Sequence, residues 1–219
     1  MPHRHRPHPS PQTVRPFLPA GSADGPAHGL RPRIHTTMLA VDICAFGDPR
    51  RDDTAQLRLR QEMYDRLRDA CGHARLPWQD CHREDRGDGA LVIAPPETPT
   101  ERLLDPLARN LADALRDYNR RAPDHMRLQL RLAAHSGLIN RDAYGVTGQA
   151  LVHLFRLLDA RAFKKAVKDS GASFGMIISE RFYGDALSHG GLPAPADYQP
   201  ISVKTKETRT RAHLHIPAG

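Results

Sequence analysis

Two carboxylates carry the most chemical weight in this sequence. Asp42 interrupts a largely apolar run, Leu39-Ala40-Val41-Asp42-Ile43-Cys44, where an unpaired charge is costly to bury. Asp88 follows Gly87 at the tip of a hairpin expected to pair beside that run. Two carboxylates at one sheet edge repel unless a cation lies between them, and such hard oxygen donors suit magnesium or manganese. The same pattern also suits a strand-end aspartate bonded to backbone and a turn aspartate chosen for loop geometry. Spacing alone leaves both readings open. Other groups offer less. Cys71, His73, Cys81 and His82 have a metal-like composition, but C-x-H…C-H matches no common zinc spacing. Lys164, Lys165 and Lys168 read as a solvated helix end. Trp78 stands alone, without aromatic neighbours for stacking on a single strand.

The elements that position the two aspartates follow from periodicity. Residues 36–44 are mostly apolar and β-prone, which predicts a buried central strand. After the turn-rich GDPRRDD, Leu59, Met63, Leu67 and Ala70 recur at helical spacing, with Asp53 as a candidate N-cap. Residues 80–85 and 89–94 predict two strands joined around Arg86-Gly87-Asp88. Thr98-Pro99-Thr100-Glu101 predicts the start of a second helix, carried on by Leu104, Leu107, Leu111, Leu115 and Tyr118. Residues 126–135 alternate Leu128, Leu130 and Leu132 with polar neighbours, as a half-buried strand does. Residues 136–148 read as a glycine-bearing loop before a third helix with Leu151, Leu154, Phe155 and Leu158 inward. A strand over 174–178, a short helix from Ser179 and strands near 201–204 and 212–216 complete the order. Helices and hairpins in this succession define an α+β class: a ferredoxin-like, palm-type, antiparallel-rich sheet with helices covering one face.

Composition removes several function classes. The 219 residues suit one medium domain with an appendage, or two very small domains. No run of 18 apolar residues occurs, so a membrane-spanning helix is not expected, and the N-terminus lacks the apolar stretch of a secretory signal. Three cysteines without a CxxC spacing point to a reducing, cytoplasmic setting. The net charge of +7 divides unevenly. Met1–Arg33 holds five arginines against one acid, a net of +4, which leaves the body at +3. A basic domain face is thus weakly supported and nucleic acid is not the expected partner; salt-dependent binding through the tail is the weaker nucleic-acid reading. Residues 1–34 contain eight prolines and four histidines, His3, His5, His8 and His28, and read as a disordered, solvated tail before a domain spanning 35–219. No internal repeat is visible.

Five short segments, in order, resemble the catalytic domain of class III nucleotidyl cyclases, the adenylate and guanylate cyclases. They are Val41-Asp42-Ile43-Cys44-Ala45-Phe46, Gly87-Asp88, Arg131-Leu-Ala-Ala-His135-Ser136-Gly137, Gly148-Gln-Ala-Leu-Val152-His153-Leu-Phe-Arg156-Leu157, and Lys204-Thr205-Lys206-Glu207. The resemblance spans roughly Thr36 to Pro217. It implies that Asp42 and Asp88, with the Ile43 carbonyl, hold two Mg²⁺ or Mn²⁺ ions on a nucleoside triphosphate. It implies that Arg156 stabilises charge on the transferring phosphorus, and that Lys206 neutralises the triphosphate. It also implies that the site forms across a homodimer or a heterodimer with another cyclase-like chain. The base-recognition positions fall on Glu84 and Gly145. A glutamate there accepts from the donors of guanine and leans toward GTP, whereas glycine contributes no side chain. The family's ribose-orienting asparagine falls on Val152, which has no hydrogen-bonding group, and His153 beside it would substitute only with a shift of helix register. Two functions follow as expectations: a cyclase releasing a 3′,5′-cyclic nucleotide and pyrophosphate, or a catalytically silent nucleotide-binding or dimerisation module in bacterial signalling or defence.

Overall fold

The strand that carries Asp42 sets the layering. In the computed structural model, which describes residues 33–192 and 194–217, Ile34–Ile43 form β1. Leu39, Val41 and Ile43 enter one core, while Met38 and Ala40 enter a second. Successive residues of a strand face opposite sides, so a strand apolar at both parities must be covered on both faces. The expectation of helices on one face is therefore corrected to helices on two.

The chain continues through α1 (Asp53–His73), β2 (His82–Asp85), β3 (Gly89–Ile93), α2 (Asp105–Asn119), β4 (Leu130–Asp142), β5 (Gly145–Thr147) and α3 (Gln149–Leu158). It ends with α4 (Arg161–Ser170), β6 (Phe174–Ser179), α5 (Glu180–Ser188), β7 (Gln199–Thr205) and β8 (Thr208–His215). The sheet runs β2-β3-β1-β4-β6-β8-β7, with β5 hairpinned onto β4. All of its pairings are antiparallel except β4 with β6. The class is α+β, with an antiparallel-rich mixed sheet. Leu59, Met63 and Leu67 of α1 and Leu107, Leu111 and Leu115 of α2 fill the first core. Leu154 and Leu157 of α3 and Phe163 and Val167 of α4 fill the second.

Local chemistry decides the boundaries. Asp52, one residue before the expected cap, accepts from the Ala55 N–H at 2.8 Å and starts α1. Thr98 caps nothing. A 3-10 turn over Thr100–Leu103 intervenes, and α2 restarts at Asp105 with Pro106 in its first turn, where a missing N–H does no harm. The expected loop over 136–148 is instead a hairpin: β4 pairs with β1 as far as Ile139 and then turns back on β5 through Asp142 and Gly145. The three lysines belong to a separate helix, α4, which ends at Gly171 in the left-handed conformation (φ 66°) that glycine adopts without a Cβ penalty. Of the expected tail, only Arg33 and Ile34 lie within the described residues, and Ile34 opens β1; His3, His5, His8 and His28 lie outside them. Among the described residues no helix is long and apolar enough to cross a membrane.

Candidate nucleotide and metal site

Asp42 stands near the end of β1, opposite Gly89 of β3 and Arg131 of β4. The Arg131 fork donates to both carboxylate oxygens, Nε to Oδ1 at 2.8 Å and Nη2 to Oδ2 at 2.7 Å. The two side chains are only 13% and 14% exposed. Burial raises the Asp42 carboxyl above its ordinary range, the Arg131 bonds and charge pull it back, Lys164 of α4 pulls the same way, and the nearby Asp88 carboxylate pushes it up. Lys164 thus does more than solvate a helix end: it is bonded to Asp159 at 2.8 Å, and its field reaches Asp42.

Asp88 is exposed at the β2–β3 tip, and its carbonyl accepts from the Ile43 N–H at 2.9 Å. In an extended strand one residue's N–H and C=O point the same way, so the Ile43 carbonyl faces the hairpin as well. Gly89 makes this approach workable: a Cβ there would lie 2.1 Å from the Val41 carbonyl oxygen and 3.1 Å from the Asp42 Cα. Ile43, Gly87, Asp88 and Arg131 share a cleft of about 690 Å³ with Phe46 and Arg60. The turn that walls this cleft is held by Arg51, which donates to the carbonyls of Cys44, Ala45, His125 and Arg127 at 2.8–3.0 Å. That tether holds Ala45 at a left-handed φ of 52°, a conformation rare for a residue with a Cβ. Sequence reasoning missed both Arg51 and the Arg131–Asp42 pair. An arginine inside a polar turn carries no distinctive signal, whereas Asp42 and Arg131 each break an apolar strand and meet only through register.

Whether a divalent cation fits can be judged from these donors. Each Asp42 oxygen accepts one N–H from Arg131 and keeps a further lone pair. Among the described residues the Asp88 carboxylate has no side-chain partner, and the whole set is oxygen. Asp42, Asp88 and the Ile43 carbonyl therefore suit a hard ion such as Mg²⁺ or Mn²⁺. Among the described residues no group of three or more His, Cys, Asp or Glu side chains could hold a metal by itself. Cys71 and Cys81 are buried, and burial pushes their thiols up to about 12 and about 11.

The remaining expected residues lie elsewhere on the surface, and none of Glu84, Gly145, Arg156 and Lys206 lines the Asp88 cleft. Glu84 and Gly145 are neighbours: a Cβ on Gly145 (φ 135°) would stand 3.1 Å from Glu84 Oε1. Arg156 on α3 donates to Glu207 at 3.0 Å, across to the β7–β8 turn where Lys206 is exposed at a left-handed φ of 51°. Among the described residues the buried Arg156 Nε has no partner. Val152 is 42% exposed in a second, larger cleft of about 1040 Å³ that also contains His135, His153, Ser179, Arg181 and Glu207. His153 does not reach into the place of Val152; its ring packs on His135 with centroids 4.7 Å apart. His135 is bonded to Ser179 Oγ at 2.7 Å, and burial, reinforced by His153, lowers its pKa to about 4.

This arrangement of sheet and helices is the fold of adenylate and guanylate cyclase catalytic domains. An adenylate/guanylate cyclase/hydrolase from Silicibacter pomeroyi superposes with a TM-score of 0.61 at 17% identity, covering 86% of this chain and 100% of that one. The guanylate cyclase domain of RhGC from Catenaria anguillulae, in complex with GTP, gives 0.57 at 14% identity over 84% and 97% of the two chains. A non-canonical dimeric guanylyl cyclase domain of the RhoGC fusion protein from the aquatic fungus Blastocladiella emersonii gives 0.54 at 14% identity over 83% and 96%. No family model and no curated protein matches the sequence.

Proposed function

We propose that the chain is a nucleotide cyclase-like protein that takes a nucleoside triphosphate, with a lean toward GTP, in a site completed by a second copy or another cyclase-like chain. The observation that carries this reading is the meeting of Ile43 and Asp88 at one cleft of a cyclase fold, with Asp42 beside them in β1, opposite Gly89 and paired with the cleft residue Arg131. In one chain the Arg156–Lys206 surface lies apart from that cleft, so triphosphate contacts from both surfaces call for a partner. Held by Asp42, Asp88 and the Ile43 carbonyl, two Mg²⁺ or Mn²⁺ ions would supply Lewis acidity to the ribose 3′-hydroxyl and the phosphates. Arg131 orients Asp42 and offsets its charge. Arg156, once it exchanges Glu207 for phosphate oxygens, stabilises charge on the α-phosphorus, and Lys206 neutralises the triphosphate. The 3′-oxygen bonds to the α-phosphorus as its proton passes to water, the bond from that phosphorus to the oxygen bridging to the β-phosphate breaks, and a 3′,5′-cyclic nucleotide and pyrophosphate result. Residues 1–34 are proposed as an appended basic tail, and three unpaired cysteines accord with a cytoplasmic setting.

Val152 favours a second reading. An exposed apolar side chain at the place expected to orient ribose gives no hydrogen bond, which suits a chain that binds nucleotide without turning it over. Incubation of the purified protein with ATP, GTP, CTP and UTP in Mg²⁺ and in Mn²⁺, with products read by mass spectrometry beside Asp88→Asn, separates the two. A cyclic nucleotide made by wild type and absent from the variant supports the enzyme. Nucleotide bound but unchanged leaves the silent module.

A further inference from the structure

Glu84 does not stand alone. Its Oε1 is bonded to His82 Nε2 at 3.0 Å, and its Oε2 accepts from Arg86 Nη2 at 2.7 Å. Arg86 is two residues further along the β2–β3 hairpin and 44% exposed. Its guanidinium also lies over the Phe155 ring of α3, 5.2 Å from the centroid, a cation–π contact that ties it to a neighbouring element. The opposite wall is Gly145, where any side chain would crowd Glu84 Oε1; with none there, that side of the carboxylate is open. The result is an acceptor and a donor side by side, each held by contacts of its own. Each Glu84 oxygen keeps a lone pair beyond the bond it already accepts, and Arg86 keeps N–H groups beyond the one given to Glu84.

We propose that Arg86 is a base-reading residue acting with Glu84, and that the pair selects guanine. This inference rests on the nucleotide reading above. Guanine presents O6 as an acceptor beside N1–H and N2–H₂ as donors. Arg86 donates to O6 while the two Glu84 oxygens accept from N1–H and N2–H₂, so all three edge groups are satisfied. Adenine offers a lone pair at N1 where Glu84 needs a donor. Cytosine and uracil each offer only one donor group to the carboxylate. Arg86 therefore acts twice, holding Glu84 in place and contacting the base itself.

The test is displacement of N-methylanthraniloyl-GTP from the full chain, in Mn²⁺, by GTP, ATP, CTP and UTP, for wild type, Arg86→Ala and Arg86→Lys. Wild type is expected to favour GTP by about tenfold or more. Arg86→Ala is expected to lose about tenfold for GTP with little change for the other three. Arg86→Lys should fall between, since it keeps the charge but not the fork. A GTP preference equal in wild type and Arg86→Ala overturns the role of Arg86 while the nucleotide site stands. Wild-type protein that takes up none of the four nucleotides overturns the site itself, and the base-reading role with it.

Discussion

Replacing Arg131 with glutamine tests whether the Asp42 carboxylate is held as the geometry describes. The substitution removes both charge-assisted bonds and leaves a carboxylate of 13% exposure without a countercharge. Breaking a buried ion pair by deleting one partner costs roughly 3–5 kcal/mol. The partial exposure sets the expectation at the low end, about 3 kcal/mol. At roughly 2–4 °C per kcal/mol for a domain of this size, Tm falls by about 6–12 °C. The pH dependence gives the mechanism. Asp42 is already raised by burial in the wild type, so the native state binds its proton more readily than the unfolded chain does. An acid raised in this way loses stability as pH climbs from its ordinary value to the folded one. Without Arg131 that window extends upward, so the deficit of Arg131→Gln shrinks on acidification, and Asp42→Asn/Arg131→Gln recovers most of it. Thermal denaturation followed by circular dichroism at neutral and acid pH, each variant measured against wild type, reads both effects. A neutral-pH Tm within about 2 °C of wild type, or a deficit unchanged by acid, refutes the reasoning.

His135 makes the opposite prediction. Its folded-state pKa is lowered to about 4, so as pH falls below the ordinary histidine value the unfolded chain takes up a proton that the native one refuses. About 3 kcal/mol of stability is lost by pH 4, and His135→Asn flattens that part of the pH–stability curve; an unaltered slope contradicts the burial argument. Gly89→Ala forces a Cβ against the Val41 carbonyl oxygen, costs about 1–3 kcal/mol and loosens the Ile43–Asp88 bond, so an unchanged thermal midpoint speaks against the close approach. Glu207→Gln frees Arg156 from its carboxylate and is expected to tighten pyrophosphate binding several-fold by calorimetry, with equal affinity as the contrary result.

Much of this arrangement was legible in the residues. The apolar run holding Asp42 read as a buried strand and Gly87-Asp88 as part of a hairpin turn beside it, so their meeting followed from pairing. Ser179 read correctly as a helix start because its hydroxyl accepts from the Phe182 N–H. The second helix layer was harder to see. α4 carries only Phe163 and Val167 into the core, and its lysines conceal the amphipathic pattern. The β4–β5 hairpin was hidden because Asn140-Arg141-Asp142 has the composition of a loop, and only pairing makes it a strand. In the site, residue type pointed to Asp42 and the family resemblance to Glu84 and Arg156, but neither pointed to their partners. Arg131, Arg86 and Glu207 each neutralise one of them through contacts that depend on register, turn shape or tertiary packing.

The central claim is that one working site draws Asp42 and Asp88 from one chain and Arg156 and Lys206 from another. Mixing Asp88→Asn with Arg156→Ala, after mild dissociation and reassociation, tests it most directly. Each variant alone is expected to make no cyclic GTP. Random pairing of equal amounts makes half of the dimers mixed, and each mixed dimer holds one intact site of two, so about a quarter of wild-type activity should return. Activity that stays absent in a mixture shown to contain mixed dimers, beside an active wild type, would contradict the shared site.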